Sequence, residues 1–99
     1  MNSIYFDAKA AQKMATDALG NPPIGVEYSF VILTEYTIER PTCFVFFYES
    51  SRYLETGAFE DRLAGNAPIL VDRRTGELHF LGTAEPVEFY IKEFERTEK

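Results

Sequence analysis

Ninety-nine residues are enough for one hydrophobic core and too few for two, so residues 1–99 are expected to form a single domain. The chain is 45% apolar, with nine Phe and six Tyr, enough to bury the roughly 60–68% of unfolded surface that a domain of this size removes from water, without a disulfide or metal staple. Ten basic residues against sixteen acidic ones leave a net charge of −6, which disfavours nucleic acid and anionic membranes as partners, steers basic partners toward the protein, and also serves plain solubility.

The start of the chain, Met1-Asn2-Ser3-Ile4-Tyr5-Phe6-Asp7, has neither the basic nor the apolar region of a secretory signal. No apolar run approaches the about 20 residues that span a bilayer. The expected setting is the reducing cytoplasm, where the lone Cys43, inside the run Cys43-Phe44-Val45-Phe46-Phe47, reads as a buried structural thiol.

From Ile4 to Leu19 the apolar positions Ile4, Ala8, Ala11, Ala15, Ala18 and Leu19 recur at helical spacing, opposite Lys9, Lys13 and Asp17. This predicts a helix whose Ala-lined face lets its backbone lie close to a sheet, stopped by Gly20 and Asn21-Pro22-Pro23. Between Val26 and Ile38 every even position except Thr34 is large and apolar, and most odd ones are polar, which predicts one strand with a buried face. Val31 and Leu33 interrupt the polar face, so the middle is expected to be covered on both sides. Glu39-Arg40-Pro41 reads as a hairpin turn, and Thr42 to Tyr48, apolar on both faces, as the central strand.

The connection from Ser50 to Asn66 is long for a structureless loop, and Phe59 and Leu63 predict a short helix around Ala58 to Ala64, with Thr56 or Gly57 as its cap and Gly65 as its stop. Ala67 to Val71 and Leu78 to Leu81 form a second hairpin around Asp72 to Glu77, with Gly76 left-handed. Behind Pro86, the positions Val87, Tyr90, Ile91 and Phe94 predict a closing amphipathic helix, with Phe89 off its apolar stripe and residues 97–99 as a frayed tail. The predicted fold is therefore α+β: a four-stranded antiparallel sheet of two hairpins, with amino- and carboxy-terminal helices and a short helix in the 50–66 connection.

Catalytic constellations are absent from this pattern. Cys43 and His79, the single thiol and the single imidazole, both fall in strand interiors rather than at strand ends or in loops. No HxH, CxxC or HExxH spacing could gather three metal ligands, and no GxGxxG or GxxxxGK run could cradle a phosphate. The chain is accordingly read as a non-enzyme that needs no cofactor. Glu60-Asp61 and Glu93/Glu95 read as helix-surface charges, and Arg73-Arg74 as solvated charge at a turn tip. Within the 50–66 connection, Arg52, Tyr53, Glu55, Phe59, Glu60, Asp61 and Asn66 combine aromatic anchors with charges, the mixture that suits a protein interface. The competing reading is that Tyr53, Leu54, Phe59 and Leu63 simply cover the sheet.

Several ordered words carry a family likeness: Arg52-Tyr53-Leu54-Glu55-Thr56-Gly57, then Leu63-Ala64-Gly65-Asn66-Ala67-Pro68-Ile69-Leu70-Val71-Asp72, then Thr75-Gly76-Glu77 and Gly82-Thr83-Ala84-Glu85-Pro86. Over residues 52 to 91 the chain closely resembles the bacterial immunity protein 35 family, also called the YrhB-type domain; residues 1 to 19 agree only as an amphipathic helix, and 20 to 47 hardly at all. The resemblance implies a small α+β protein, encoded beside a polymorphic toxin, that neutralises the toxin by binding it inside the producing cell. The matched glycines, prolines, Asn66 and Asp72 shape backbone, so they report the fold rather than the toxin contacts. Two other readings are an orphan holdase-like module that binds exposed apolar segments through Phe89 and neighbouring aromatics, and a small enzyme using Cys43 and His79.

Overall fold

The computed structural model describes residues 6–20, 29–58, 60 and 67–97. In chain order they form α1 (Ala8–Leu19), β1 (Phe30–Ile32), a 3-10 turn (Thr34–Tyr36), β2 (Ile38–Glu39), β3 (Cys43–Phe46), β4 (Tyr48–Ser50), α2 (Ser51–Thr56), β5 (Ile69–Asp72), β6 (Leu78–Phe80) and α3 (Val87–Thr97). Four strands make an antiparallel sheet in the order β2-β3-β5-β6, and β1 pairs with β4 in a two-stranded ribbon. The α+β class, both hairpins and both flanking helices agree with the sequence reading.

Alternation along the inner strands divides the core between two faces. Phe44, Phe46, Ile69 and Val71 point toward α1 and pack with its Ala11 and Ala15; Cys43, Val45 and Leu70 point the other way and pack with Ile91 of α3 and with Leu81. Ala11 and Ala15 have no exposed surface, as expected of a helix that lies close to a sheet. Ala8 and Ala18, counted with them on the sequence, are exposed, so the inner stripe is narrower than its spacing indicated. Asp7 caps α1 by accepting the Ala10 amide at 2.8 Å, and Gly20 ends it at φ 65° while donating to the Thr16 carbonyl.

One predicted strand is broken. Ile32 stands opposite Tyr48 and Ile38 opposite Val45, so five residues (33–37) face two (46–47). The surplus is wound into the 3-10 turn, where the Tyr36 amide donates to Leu33 O at 3.0 Å and the Thr37 amide to Thr34 O at 3.2 Å. Thr34, the one polar residue among the even positions, opens that turn, and Tyr36, expected to face inward, is 62% exposed.

The short helix also lies elsewhere than predicted. Ser50 caps it through a 3.0 Å bond from the Tyr53 amide, and Gly57, expected near a helix start, is instead its left-handed stop at φ 68°. The predicted segment from Ala58 to Ala64 falls largely outside the described residues.

Two contacts tie distant elements to the sheet. Asp72, only 2% exposed, accepts the Arg74 and Thr75 amides at 2.8 and 3.3 Å and so builds the β5–β6 turn from within. At the same end of the sheet, in the neighbouring β2–β3 turn, Arg40 sits 3.3 Å from Glu88 and 3.5 Å from Glu95. The Thr42 hydroxyl donates to Glu95 at 2.8 Å. Glu95, read as a solvated helix charge, thus pins α3 to the β2–β3 turn.

Candidate partner-binding surface

The segment singled out on the sequence begins on α2. Arg52, Leu54 and Glu55 are exposed there, Tyr53 is half-buried, and Glu60 is exposed beyond it; Phe59, Asp61 and Asn66 lie outside the described residues. Leu54 does not cover the sheet, being 49% exposed. The base of this helix is firmly held, since the Ser51 amide donates to Ser29 O at 2.8 Å and the Ser29 amide to Ser51 Oγ at 3.0 Å. Its exposed side chains are therefore displayed from a fixed frame, which lowers the ordering entropy a partner must offset.

Among the described residues three more large apolar side chains reach solvent: Tyr36 at 62%, Phe80 at 57% and Phe89 at 47%. Phe89 was expected off the α3 stripe and lies edge-on to Tyr90 at 5.2 Å. Tyr36 and Phe80 were not foreseen. Tyr36 owes its exposure to the 3-10 turn, and Phe80 to its place on the outermost strand of the sheet.

Two arginines are engaged with carboxylates within the fold. Arg40 is held between Glu88 and Glu95. Arg73, expected to be solvated, stacks 4.5 Å over the Phe44 ring, reaches Glu39 at 3.3 Å, and donates to Arg40 O at 3.0 Å. It is a structural cation. Arg74, its neighbour, is exposed, as are Glu35, Glu55, Glu60, Glu77, Glu85 and Glu88.

Cys43 and His79 do not form a catalytic pair. Cys43 stands opposite Asp72, whereas His79 stands opposite Leu70 on the next strand. Two interstrand spacings, roughly 9–10 Å, and two residue positions along the strands separate them. The His79 ring rests 5.7 Å from that of Phe94, with Nε2 3.5 Å from Glu77. Among the described residues no group of three or more His, Cys, Asp or Glu side chains could hold a metal ion, and no helix is long and apolar enough to cross a membrane.

The model of the family described as immunity protein 35 matches residues 7–95, from the cap of α1 to the carboxylate that pins α3. The chain belongs to the immunity protein 35 family. It is also 50% identical over 50 residues to the uncharacterized protein YrhB of Escherichia coli (strain K12), a match that covers 50% of this chain and 53% of that protein. The chain thus spans about half the length of this curated relative. No solved structure matches it. Family membership extends over the first hairpin, where the sequence words gave almost no likeness. Two glycines of those words are scaffold: at Gly76, with φ 80°, a Cβ would lie 2.9 Å from the Phe6 ring, and at Gly82 it would lie 2.5 Å from the Tyr90 hydroxyl.

The core also holds a titratable group with a measurable consequence. Burial pushes the Cys43 thiol above its ordinary range, while a hydrogen bond with Thr42 works against that rise. In the unfolded chain the thiol loses its proton near about pH 8.5, whereas the folded protein keeps it to higher pH. Above that point the folded state binds more protons than the unfolded one, so stability falls as pH rises. Tyr48, raised by burial as well, extends the decline at still higher pH. Above about pH 8.5 the slope of unfolding free energy against pH is expected to be steeper in the wild type than in a Cys43→Ala variant. Parallel slopes would assign the loss to other groups.

Proposed function

We propose that this protein is an immunity protein that binds a cognate bacterial toxin directly and neutralises it in the cytoplasm of the cell that makes both. Membership of the immunity protein 35 family across residues 7–95 carries the reading. The acidic surface supports it, as does the rigid display of exposed side chains on α2. In this reading the chain is one domain acting by contact rather than catalysis, without a cofactor, and its partner is neither nucleic acid nor membrane. The contacting set is Arg52, Tyr53, Glu55, Phe59, Glu60, Asp61 and Asn66, with Leu54 added by its exposure.

The test is co-expression with the toxin encoded by the adjacent gene. Growth rescue and a stable complex are expected. If neither appears, the reading fails. Charge steering adds that the association rate falls steeply as salt is raised, and a flat response would remove that component while leaving the binding itself. Phe89, 47% exposed on α3, favours a second reading, an orphan holdase-like module. That one stands if the protein suppresses aggregation of unrelated clients and loses the effect on Phe89→Ser.

A further inference from the structure

The four-stranded sheet ends at β6, and its hydrogen-bond pattern fixes which way each backbone group of that strand points. The Asp72 amide donates to Glu77 O at 2.9 Å and the Leu81 amide to Pro68 O at 2.8 Å. With Leu70 opposite His79, the pairs 72–77, 70–79 and 68–81 are the hydrogen-bonded ones. Leu78 and Phe80, lying between them, therefore turn both their N–H and their C=O groups away from β5. Among the described residues nothing meets those groups. The opposite edge, β2, is different: its Arg40 amide bonds Cys43 O, which leaves a single outward residue, Glu39, whose carboxylate is taken by Arg73.

Side chains along β6 sort by face. Leu78 lies on the α1 side, packed against that core, and Phe80 lies beside it on the same side, 57% exposed. Glu77 and His79 lie on the α3 side, where the Glu77 side chain is 67% exposed. A strand added along this edge would find an apolar platform for every second residue and a carboxylate for the residues between. Such an edge with an exposed aromatic is a template for pairing with another chain.

We propose that β6 is a docking edge, and that its occupant is an extended segment of the toxin alternating apolar and basic residues, added as a fifth strand. Four main-chain hydrogen bonds to Leu78 and Phe80 align it, its apolar residues rest on Phe80, and a Lys or Arg meets Glu77. This rests on the immunity reading and goes beyond it by naming the edge and the chemistry of the segment.

The probe is an inactivated form of the toxin from the adjacent gene, added to isotope-labelled protein. Amide exchange at Leu78 and Phe80 is expected to slow by about tenfold or more on complex formation, whereas that of His79, already bonded within the sheet, changes little. Phe80→Pro deletes an outward N–H without touching a bond between β5 and β6, so the fold should persist. It is expected to weaken binding about tenfold or more, and Glu77→Lys, which keeps the backbone edge intact, should weaken it as well. Wild-type binding and rescue, with unchanged exchange at Leu78 and Phe80 or with Phe80→Pro and Glu77→Lys binding as the wild type does, would overturn the edge and leave the immunity reading standing. A wild type that neither binds nor rescues would bring down both. A dimer of the free protein that Phe80→Pro dissolves would give the edge to a second copy and overturn the toxin segment as its occupant.

Discussion

Replacing Phe46 with alanine is expected to lower stability by about 3–5 kcal/mol, the range for emptying an aromatic site in a core that cannot collapse. Phe46 has no exposed surface. It stands on the central strand between Ile69 across the ladder and the α1 helix with its Ala11 and Ala15, and its ring stacks 6.1 Å from that of Phe44. Ala11 and Ala15 on the facing helix have no side chain that could swing in, which leaves only Met14 and Leu19 of that helix, already packed against the cluster, to refill the space. Domains of this size hold only about 5–15 kcal/mol in total, so a large share of the fold's margin would go. Urea unfolding measures it, with Phe46→Leu expected to lose less than half as much. A loss near 1 kcal/mol would mean that α1 sinks toward the sheet and closes the gap.

How far the sequence discloses this molecule depends on the range of the interaction involved. The α1 and α3 helices, both hairpin turns and the central strand are local in origin: 3.6-residue spacing, Pro and Gly punctuation, and an unbroken apolar run suffice. The 3-10 turn left one trace, Thr34 in an otherwise apolar series, and a single polar residue does not distinguish a bulge from a solvated strand position. At six residues, α2 is too short for periodicity to register, and its cap, Ser50, looked like any serine in a connection. The candidate surface follows the same division. Exposure of Leu54 comes from a helix within the segment already singled out. Exposure of Phe80 depends on which strand is outermost, and the roles of Arg73 and Glu95 depend on Glu39 and Thr42, 34 and 53 positions away.

The Ala face of α1 supplies the second large effect. Ala11 and Ala15, one helical turn apart, are both fully buried on the face of α1 that packs against β1, β3 and β5. Changing both to leucine leaves helix propensity almost unaltered, so any loss reports the fit between helix and sheet. Six added carbon atoms must be fitted between the helix and the sheet. Each overpacked site costs about 1–3 kcal/mol, and neighbours on one face need not add, so the double variant is expected to lose about 3–5 kcal/mol. Ala18→Leu on the exposed side of the same helix is the control, expected within about 0.5 kcal/mol of the wild type. If Ala11→Leu with Ala15→Leu proved as stable as that control, α1 would be able to stand off the sheet at little cost. Close helix–sheet packing would then not be what holds β3 and β5 in register.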